Sequence, residues 1–360
     1  MRVLQLIDSL RPGGAERMAV NLANGLSDKD MSSYLCATRQ EGALKKGLKF
    51  EVAYLFLNKK YSLDLKALLK LRDFIKNEKI TVVHAHGTSW FFAVLLKLVG
   101  VKIKLIWHDH YGKSLADRDI KLLRSLSRYF DGIISVNNDL KQWAKKELNC
   151  AKVIQLNNFI TTKSIEEGTS KLKGSSSDFK IICVANLRPQ KDHFNLLEAF
   201  EISAQKNVNL TLHLVGEDPG TDYAKMFLQK IAKSPVAERI FYYGSQEKIS
   251  EMLIQADLGV LASSSEGLPL VLLEYGLAGL PVVCTDVGNC RKVIGDFGKL
   301  VPIKNPEAMA KAILFYLNNN DMMNSDAKNF QKKTIENYSE KTVLPKFLKF
   351  YKEILSECGN

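Results

Sequence analysis

Short apolar runs of strand length alternate with longer stretches whose apolar positions recur every three to four residues, from one end of the chain nearly to the other. In the first half, strands are expected at residues 3–7, 33–38, 52–56, 81–84, 104–108 and 132–136. Amphipathic helices are expected at residues 15–26, 63–78, 90–98, 120–129 and 139–148. Parallel neighbours need crossover connections, and strict alternation of strand and helix therefore predicts a parallel sheet covered by helices on both faces.

The pattern stops at residues 161–178, a polar stretch rich in Ser and Gly that reads as a linker. It restarts with strands at 180–185, 210–215, 240–243, 258–262 and 281–285, and helices at 194–206, 223–233, 247–256, 270–278 and 306–318. A basic amphipathic helix follows at 343–355. The expected fold is α/β, with two tandem doubly wound Rossmann-like domains. The first spans residues 1–160 and the second 179–335, and residues 336–360 form a C-terminal helix that either packs back on the first or is solvated. In such sheets ligands sit beyond the carboxyl ends of the strands, so two of them offer two ligand-binding walls facing across a cleft.

With 360 residues, 46% of them hydrophobic, the chain is long enough for two cores, and disorder as its main state is excluded. The longest apolar stretch, residues 90–101, is broken by Lys97 and falls far short of the ~20 residues of a membrane span. Six cysteines without a C-x-x-C pair predict free thiols in a reducing, cytoplasmic setting. The net charge of +12 is unevenly placed. Residues 1–160 hold 27 Lys and Arg against 15 Asp and Glu, whereas the remainder holds 24 against 24. No interleaved basic and aromatic module accompanies the excess, which argues against nucleic acid. An anionic membrane surface, met at residues 45–49 and 113–128 on the inner face of the membrane, or an anionic acceptor accounts for it better.

Three groups of residues carry candidate chemistry. Gly13 and Gly14 lie between the first strand and first helix, where small residues let a ligand approach the backbone and the helix N-terminus, with Glu16 following. His84/His86 and His108/His110 form two H-x-H pairs at successive strand ends. Residues i and i+2 share a face, so four imidazoles gather at one sheet edge. They read either as metal ligands or as a polar substrate pocket. In the second half, Glu266-Gly267-Leu268-Pro269-Leu270 joins a strand to a helix carrying Glu274, and the loop from Asn186 through Arg188 to Lys191 supplies cations at the same edge. A helix entrance, cations and two carboxylates together fit a nucleotide-diphosphate ligand.

The run EGLPLVLLEYGLAGLPVV at residues 266–283, with ANLRPQKDH at 185–193 and PGGAE at 12–16, resembles glycosyltransferase family four, the retaining transferases of GT-B architecture. The resemblance implies that Glu274 binds the donor ribose, that Glu266 lies near the donor sugar, and that Asn186, Arg188 and Lys191 with the 267–270 backbone hold the diphosphate. It also implies a histidine at the reaction centre, His108 or His110, with His108 favoured because it directly follows the apolar strand residues. Residues 12–16 then face the donor phosphates or the acceptor, with Glu16, His84 and His86 on the acceptor side. The expected donor is a UDP-sugar and the acceptor a saccharide or lipid-linked glycan of cell-surface polysaccharide synthesis, with no cofactor and no metal required. Rival readings are a metal-dependent hydrolase built on the four histidines, a nucleotide-sugar epimerase of the same fold and a non-catalytic nucleotide-sugar binder.

Overall fold

The structure, a computed structural model, describes residues 1–29, 31–111, 115, 118–161 and 171–356. Residues 162–170 of the linker stretch, and Lys113 of the basic 113–128 segment, lie outside the described residues. The chain forms two compact units, Met1–Thr161 with Glu340–Asn360, and Thr162–Ser339.

The first unit follows the order β1 (Arg2–Ser9), α1 (Gly14–Ser27), β2 (Ser32–Gln40), β3 (Ala53–Phe56), α2 (Leu65–Asn77), β4 (Val82–His86), α3 (Trp90–Leu98), β5 (Lys104–Asp109), α4 (Lys121–Leu126), β6 (Gly132–Ser135), α5 (Asn138–Glu147) and β7 (Val153–Gln155). Its strands form a parallel seven-stranded sheet ordered β3-β2-β1-β4-β5-β6-β7. Local chemistry sets the helix starts: the Asp64 carboxylate accepts from Ala67 N at 3.0 Å ahead of α2, and the Asn137 amide accepts from Leu140 N at 2.8 Å ahead of α5.

The second unit continues with β8 (Phe179–Val184), α6 (His193–Lys206), β9 (Leu210–Val215), α7 (Asp222–Ala232), β10 (Ile240–Tyr242), α8 (Ile249–Leu253), β11 (Leu258–Leu261), α9 (Leu270–Leu277), β12 (Val282–Thr285), α10 (Cys290–Ile294), β13 (Lys299–Val301), α11 (Pro306–Asn318) and α12 (Asn320–Tyr338). Its six-stranded parallel sheet has the order β10-β9-β8-β11-β12-β13. In each sheet the order reverses beside the unit's first strand, between β1 and β4 and between β8 and β11. Those two switch points are where a doubly wound sheet opens a crevice beyond its strand ends.

α13 (Glu340–Ser356) belongs to the first unit. Its Val343, Leu344, Phe347, Phe350, Tyr351 and Ile354 are buried against Val3, Val82, Ile106 and Ile134, which point from one face of the sheet. A methyl group on Gly132 would come within 2.7 Å of the Phe350 ring, so the missing side chain at 132 lets the helix lie close to β6. Burying an aromatic side chain such as Phe347 contributes about 2–3 kcal/mol.

Four elements were not expected from periodicity. β7 and β13 are three-residue strands at sheet edges and α10 is a five-residue helix, all too short for a period to register. α12 is largely polar and buries only a stripe, Asp326, Ala327, Phe330, Thr334 and Tyr338, at roughly helical spacing.

Candidate active site

In the second unit the carboxyl ends of β8 and β11 bring the two expected loops together. Ser264 N donates to Gln190 O at 2.8 Å, which ties the loop after β11 to the short helical turn Pro189–Lys191. Lys191 Nζ lies 2.5 Å from Glu266 Oε1, and Ser263 Oγ donates to the same oxygen at 2.6 Å. Both residues are partly exposed, so the ammonium and carboxylate stand as a polar pair at the strand ends. Asp192 adopts a left-handed conformation (φ 45°) to turn the chain directly into α6.

Behind this pair the loop is held from below. Gly288 (φ 52°) runs so close to it that a methyl group there would meet Glu266 O at 2.0 Å, and Asn289 N donates to Gly267 O at 3.0 Å. Thr285 Oγ1 donates to Ser263 O at 2.5 Å. α9 then starts at Leu270 with Pro269 at its N-cap and buried Gly267 and Leu268 just before it, leaving first-turn N–H groups directed at the strand ends. Tyr275 is wholly buried and its hydroxyl accepts from Val184 N at 2.8 Å, which fixes the helix on β8 and leaves the preceding Glu274 half-buried. Asn186 has a local task, its side-chain oxygen accepting from Glu217 N at 3.0 Å, while Arg188 is exposed.

In the first unit, Gly13 is the extended N-cap of α1 and Gly14 its first residue. A side chain at 13 would collide with the Glu16 carboxylate at 2.2 Å, so Glu16 lies folded over its own helix N-terminus, where the helix dipole favours negative charge.

The four histidines do gather, but in a stack that runs inward. His86 pairs in register with His108 across β4 and β5. Ring centroids lie 4.5 Å apart for His84–His86, 4.0 Å for His108–His110 and 5.4 Å for His86–His110. His84, His86 and His108 are fully buried and His110 is half-buried. His84 Nδ1 meets the Tyr351 hydroxyl at 2.6 Å, so α13 covers it. His86 bonds to Gln5 Oε1 through Nε2 (2.8 Å) and to His110 Nε2 through Nδ1 (3.1 Å). Burial pushes His84 and His110 down to about 3, and lowers His86 and His108 well below the ordinary imidazole value. All four are therefore neutral at neutral pH. His84 and His86, expected on the acceptor side, are thus enclosed by the first unit, His84 beneath Tyr351 of α13. Of the two histidines expected at the reaction centre, His110 rather than His108 reaches the surface.

Ligand atoms of His84, His86 and His108 lie within 4.8 Å of one another, the spacing of a possible metal cluster. The donor set fits poorly. Both nitrogens of His86 are engaged, Nε2 with Gln5 and Nδ1 with His110. A water-activating centre also needs an open coordination position, which full burial does not provide.

Asp109, between the last two histidines, was not singled out from sequence. It is buried and makes a bidentate pair with Arg118 at 2.7 and 3.0 Å, and that guanidinium lies over the rings of Tyr111 (4.3 Å) and Trp143 (4.2 Å). The pair braces the end of β5 next to His110.

Comparison with known proteins matches both halves of the chain. The family model described as Glycosyltransferase Family 4 matches residues 12–163, and that described as Glycosyl transferases group 1 matches residues 165–336. The N-acetyl-alpha-D-glucosaminyl L-malate synthase of Bacillus anthracis is 24% identical over 312 residues, covering 82% of this chain and 81% of its own. An Escherichia coli UDP-Gal:alpha-D-GlcNAc-diphosphoundecaprenol alpha-1,3-galactosyltransferase is 25% identical over 301 residues, covering 77% of this chain and 76% of its own. Among solved structures, Anabaena HepE in complex with UDP-glucose superposes with a TM-score of 0.83 at 18% identity, over 98% of this chain and 100% of that one. With its two doubly wound parallel sheets and a family match over each half, the chain belongs to the group 1, family-four glycosyltransferases and has their GT-B fold.

Proposed function

We propose that the second unit binds a UDP-sugar and that the sugar passes, with its anomeric configuration retained, to a saccharide or lipid-linked acceptor held by the first unit. The observation that carries this reading is the contact of Lys191 with Glu266 above the α9 entrance. A diphosphate arriving there displaces the carboxylate as the partner of Lys191, and the freed Glu266 turns to the sugar hydroxyls. Lys191, Arg188 and the Gly267–Leu268 N–H groups then stabilise the charge that develops on the departing diphosphate, so the reaction needs no metal ion. Glu274 takes the ribose. Same-face attack assisted by the leaving phosphate, as the family resemblance implies, asks of the protein only orientation and charge stabilisation. The names of the relatives support the substrate classes: one uses UDP-Gal with a diphosphoundecaprenol-linked acceptor, and one structural neighbour holds UDP-glucose.

A thermal-shift screen of UDP-glucose, UDP-galactose, UDP-N-acetylglucosamine and GDP-mannose, run in chelator, tests the donor assignment. A ligand that binds only the folded state stabilises it by about 2.7 kcal/mol at a hundred times its Kd. One UDP-sugar is expected to raise the melting temperature in chelator. A shift only with added metal, or with none of the nucleotides, overturns the assignment. The anomeric configuration of the product, read by NMR, tests retention.

The reading extends to an anionic membrane surface for the first unit. No helix among the described residues is long and apolar enough to cross a membrane. Of the lysines expected to meet lipid, Lys45 pairs with Glu41 and Lys49 with Asp28. A better surface follows β3, where Tyr61, Leu63 and Leu65 are 74%, 71% and 65% exposed and the exposed Lys60, Lys66 and Lys70 surround them. Apolar tips within a ring of cations suit an anionic interface. Sedimentation with phosphatidylcholine vesicles containing phosphatidylglycerol is expected to bring the protein down at low salt. Leu63→Asp with Leu65→Asp abolishes that binding, and no binding by the native protein at low salt rejects the surface.

A further inference from the structure

We infer that Gln5, a buried residue of β1, sets the tautomer of His110 through His86, and so acts as a positioning residue for the half-buried imidazole at the end of β5. The tautomer follows from hydrogen-bond direction alone. Its consequence for turnover rests on the reading that places His110 against the reacting sugar.

The chain of bonds starts in the core. Gln5 is fully buried, and its Oε1 lies 2.8 Å from His86 Nε2. An amide oxygen only accepts, so His86 carries its proton on Nε2. His86 is neutral, because burial, with the neighbouring His84 and His110, disfavours the imidazolium. Its Nδ1 is therefore a bare lone pair. That atom is 3.1 Å from His110 Nε2, and the proton in this bond has to come from His110. His110 is also neutral, since burial moves it down to about 3. With Nε2 protonated, its Nδ1 is left as an acceptor. The ring has little freedom to escape this assignment, being stacked on His86 at 18° and packed on His108 at 4.0 Å between centroids.

The direction of the relay depends on which way round the Gln5 amide sits, and α13 supplies a reason. The amide nitrogen closes no hydrogen bond of its own, and the Gln5 side chain acts on the Tyr351 hydroxyl as a donor, drawing it down against the burial that pushes it up. Tyr351 in turn is 2.6 Å from His84 Nδ1. A phenol is a better donor than a neutral imidazole N–H, and an imidazole nitrogen is a better acceptor than a phenol oxygen. Tyr351 thus gives its proton to His84 and turns its lone pairs toward Gln5, where the N–H end of the amide is preferred over the carbonyl end. The C-terminal helix thereby reaches His110 through three side chains, Tyr351, Gln5 and His86. A His110 that only accepts at Nδ1 takes a hydrogen bond from a substrate hydroxyl and rejects an acceptor group in the same place.

The experiment is long-range ¹H–¹⁵N spectroscopy of histidine-labelled full-length protein at pH 7, with kinetics alongside. His86 and His110 are both expected to show a protonated Nε2 and a bare Nδ1. Gln5→Met, similar in shape but without the amide, is expected to mix the tautomers of both rings. It should also lower kcat about tenfold while the donor KM stays within about twofold. Tyr351→Phe, which removes only the hydroxyl, gives the same mixing if Gln5→Met does not fold. A native His110 protonated on Nδ1, or a tautomer unchanged by both variants, overturns the inference. If the tautomers mix and turnover does not move, the relay stands and the placement of His110 against the sugar is what fails.

Discussion

Lys191→Ala should lose about a thousandfold in kcat, on the order of 4 kcal/mol of transition-state stabilisation, with the melting temperature nearly unchanged. The size follows from what the ammonium does in the proposed reaction. Charge on the leaving diphosphate is larger in the transition state than in the bound donor, so a cation placed at that site acts more on kcat than on KM. The small effect on stability follows from the pair's exposure: Lys191 is 22% exposed and Glu266 10%, and a partly solvated ion pair contributes little to folding. Glu266 also keeps the Ser263 hydroxyl at 2.6 Å when the lysine is gone. Lys191→Arg retains the charge and should recover part of the rate. The measurement is steady-state transfer with the donor identified by the thermal-shift screen, and a fully active alanine variant removes Lys191 from the mechanism.

Acid should unfold the first unit well before it titrates ordinary carboxylates. His84 is pushed by burial from 6.5 to about 3, and His86 and His108 are also held well below their ordinary value by burial. For such groups the folded state binds fewer protons than the unfolded chain. The stability they leave intact is fully present above about pH 6.5 and is lost as pH falls from there toward 3. At pH 5 the buried neutral His84 costs about 2 kcal/mol relative to its titrated unfolded form. His86 and His108 act in the same direction, against the 5–15 kcal/mol that separates most folded domains from unfolding. Urea denaturation followed by near-UV circular dichroism should show the midpoint falling steeply between pH 6.5 and 5. His84→Gln should flatten that slope by about one proton. A midpoint independent of pH over this interval would mean that the cluster is solvated and charged.

The meeting of the two strand-end loops in the second unit was legible because each is a contiguous segment. The Asn186–Lys191 and Glu266–Glu274 runs each follow a strand, and in a parallel sheet with this connectivity successive strand ends must share an edge. The histidines were half legible. Spacing of two put each pair on one face, but whether that face opened to solvent or lay under another element depended on α13, more than 230 residues downstream of His110. Asp109 was passed over for a similar reason: its partner Arg118, and the Trp143 ring that the guanidinium covers, come from a loop and a helix whose approach no local pattern announces.

By itself the sequence determined the two parallel sheets, the alternation of strand and helix that builds them and the residues at their carboxyl ends, since periodicity and turn chemistry are local properties that act within a dozen residues. Tertiary structure decided which of those residues are reachable. It joined Lys191 to Glu266 across 75 positions, brought Gly288 against the Glu266 backbone at a distance only a glycine allows, and buried three of four histidines while leaving His110 at the surface. Burial and contact depend on what packs over a residue. For His84 that is Tyr351, a side chain 267 positions away that contributes nothing to the local pattern around the histidine it covers.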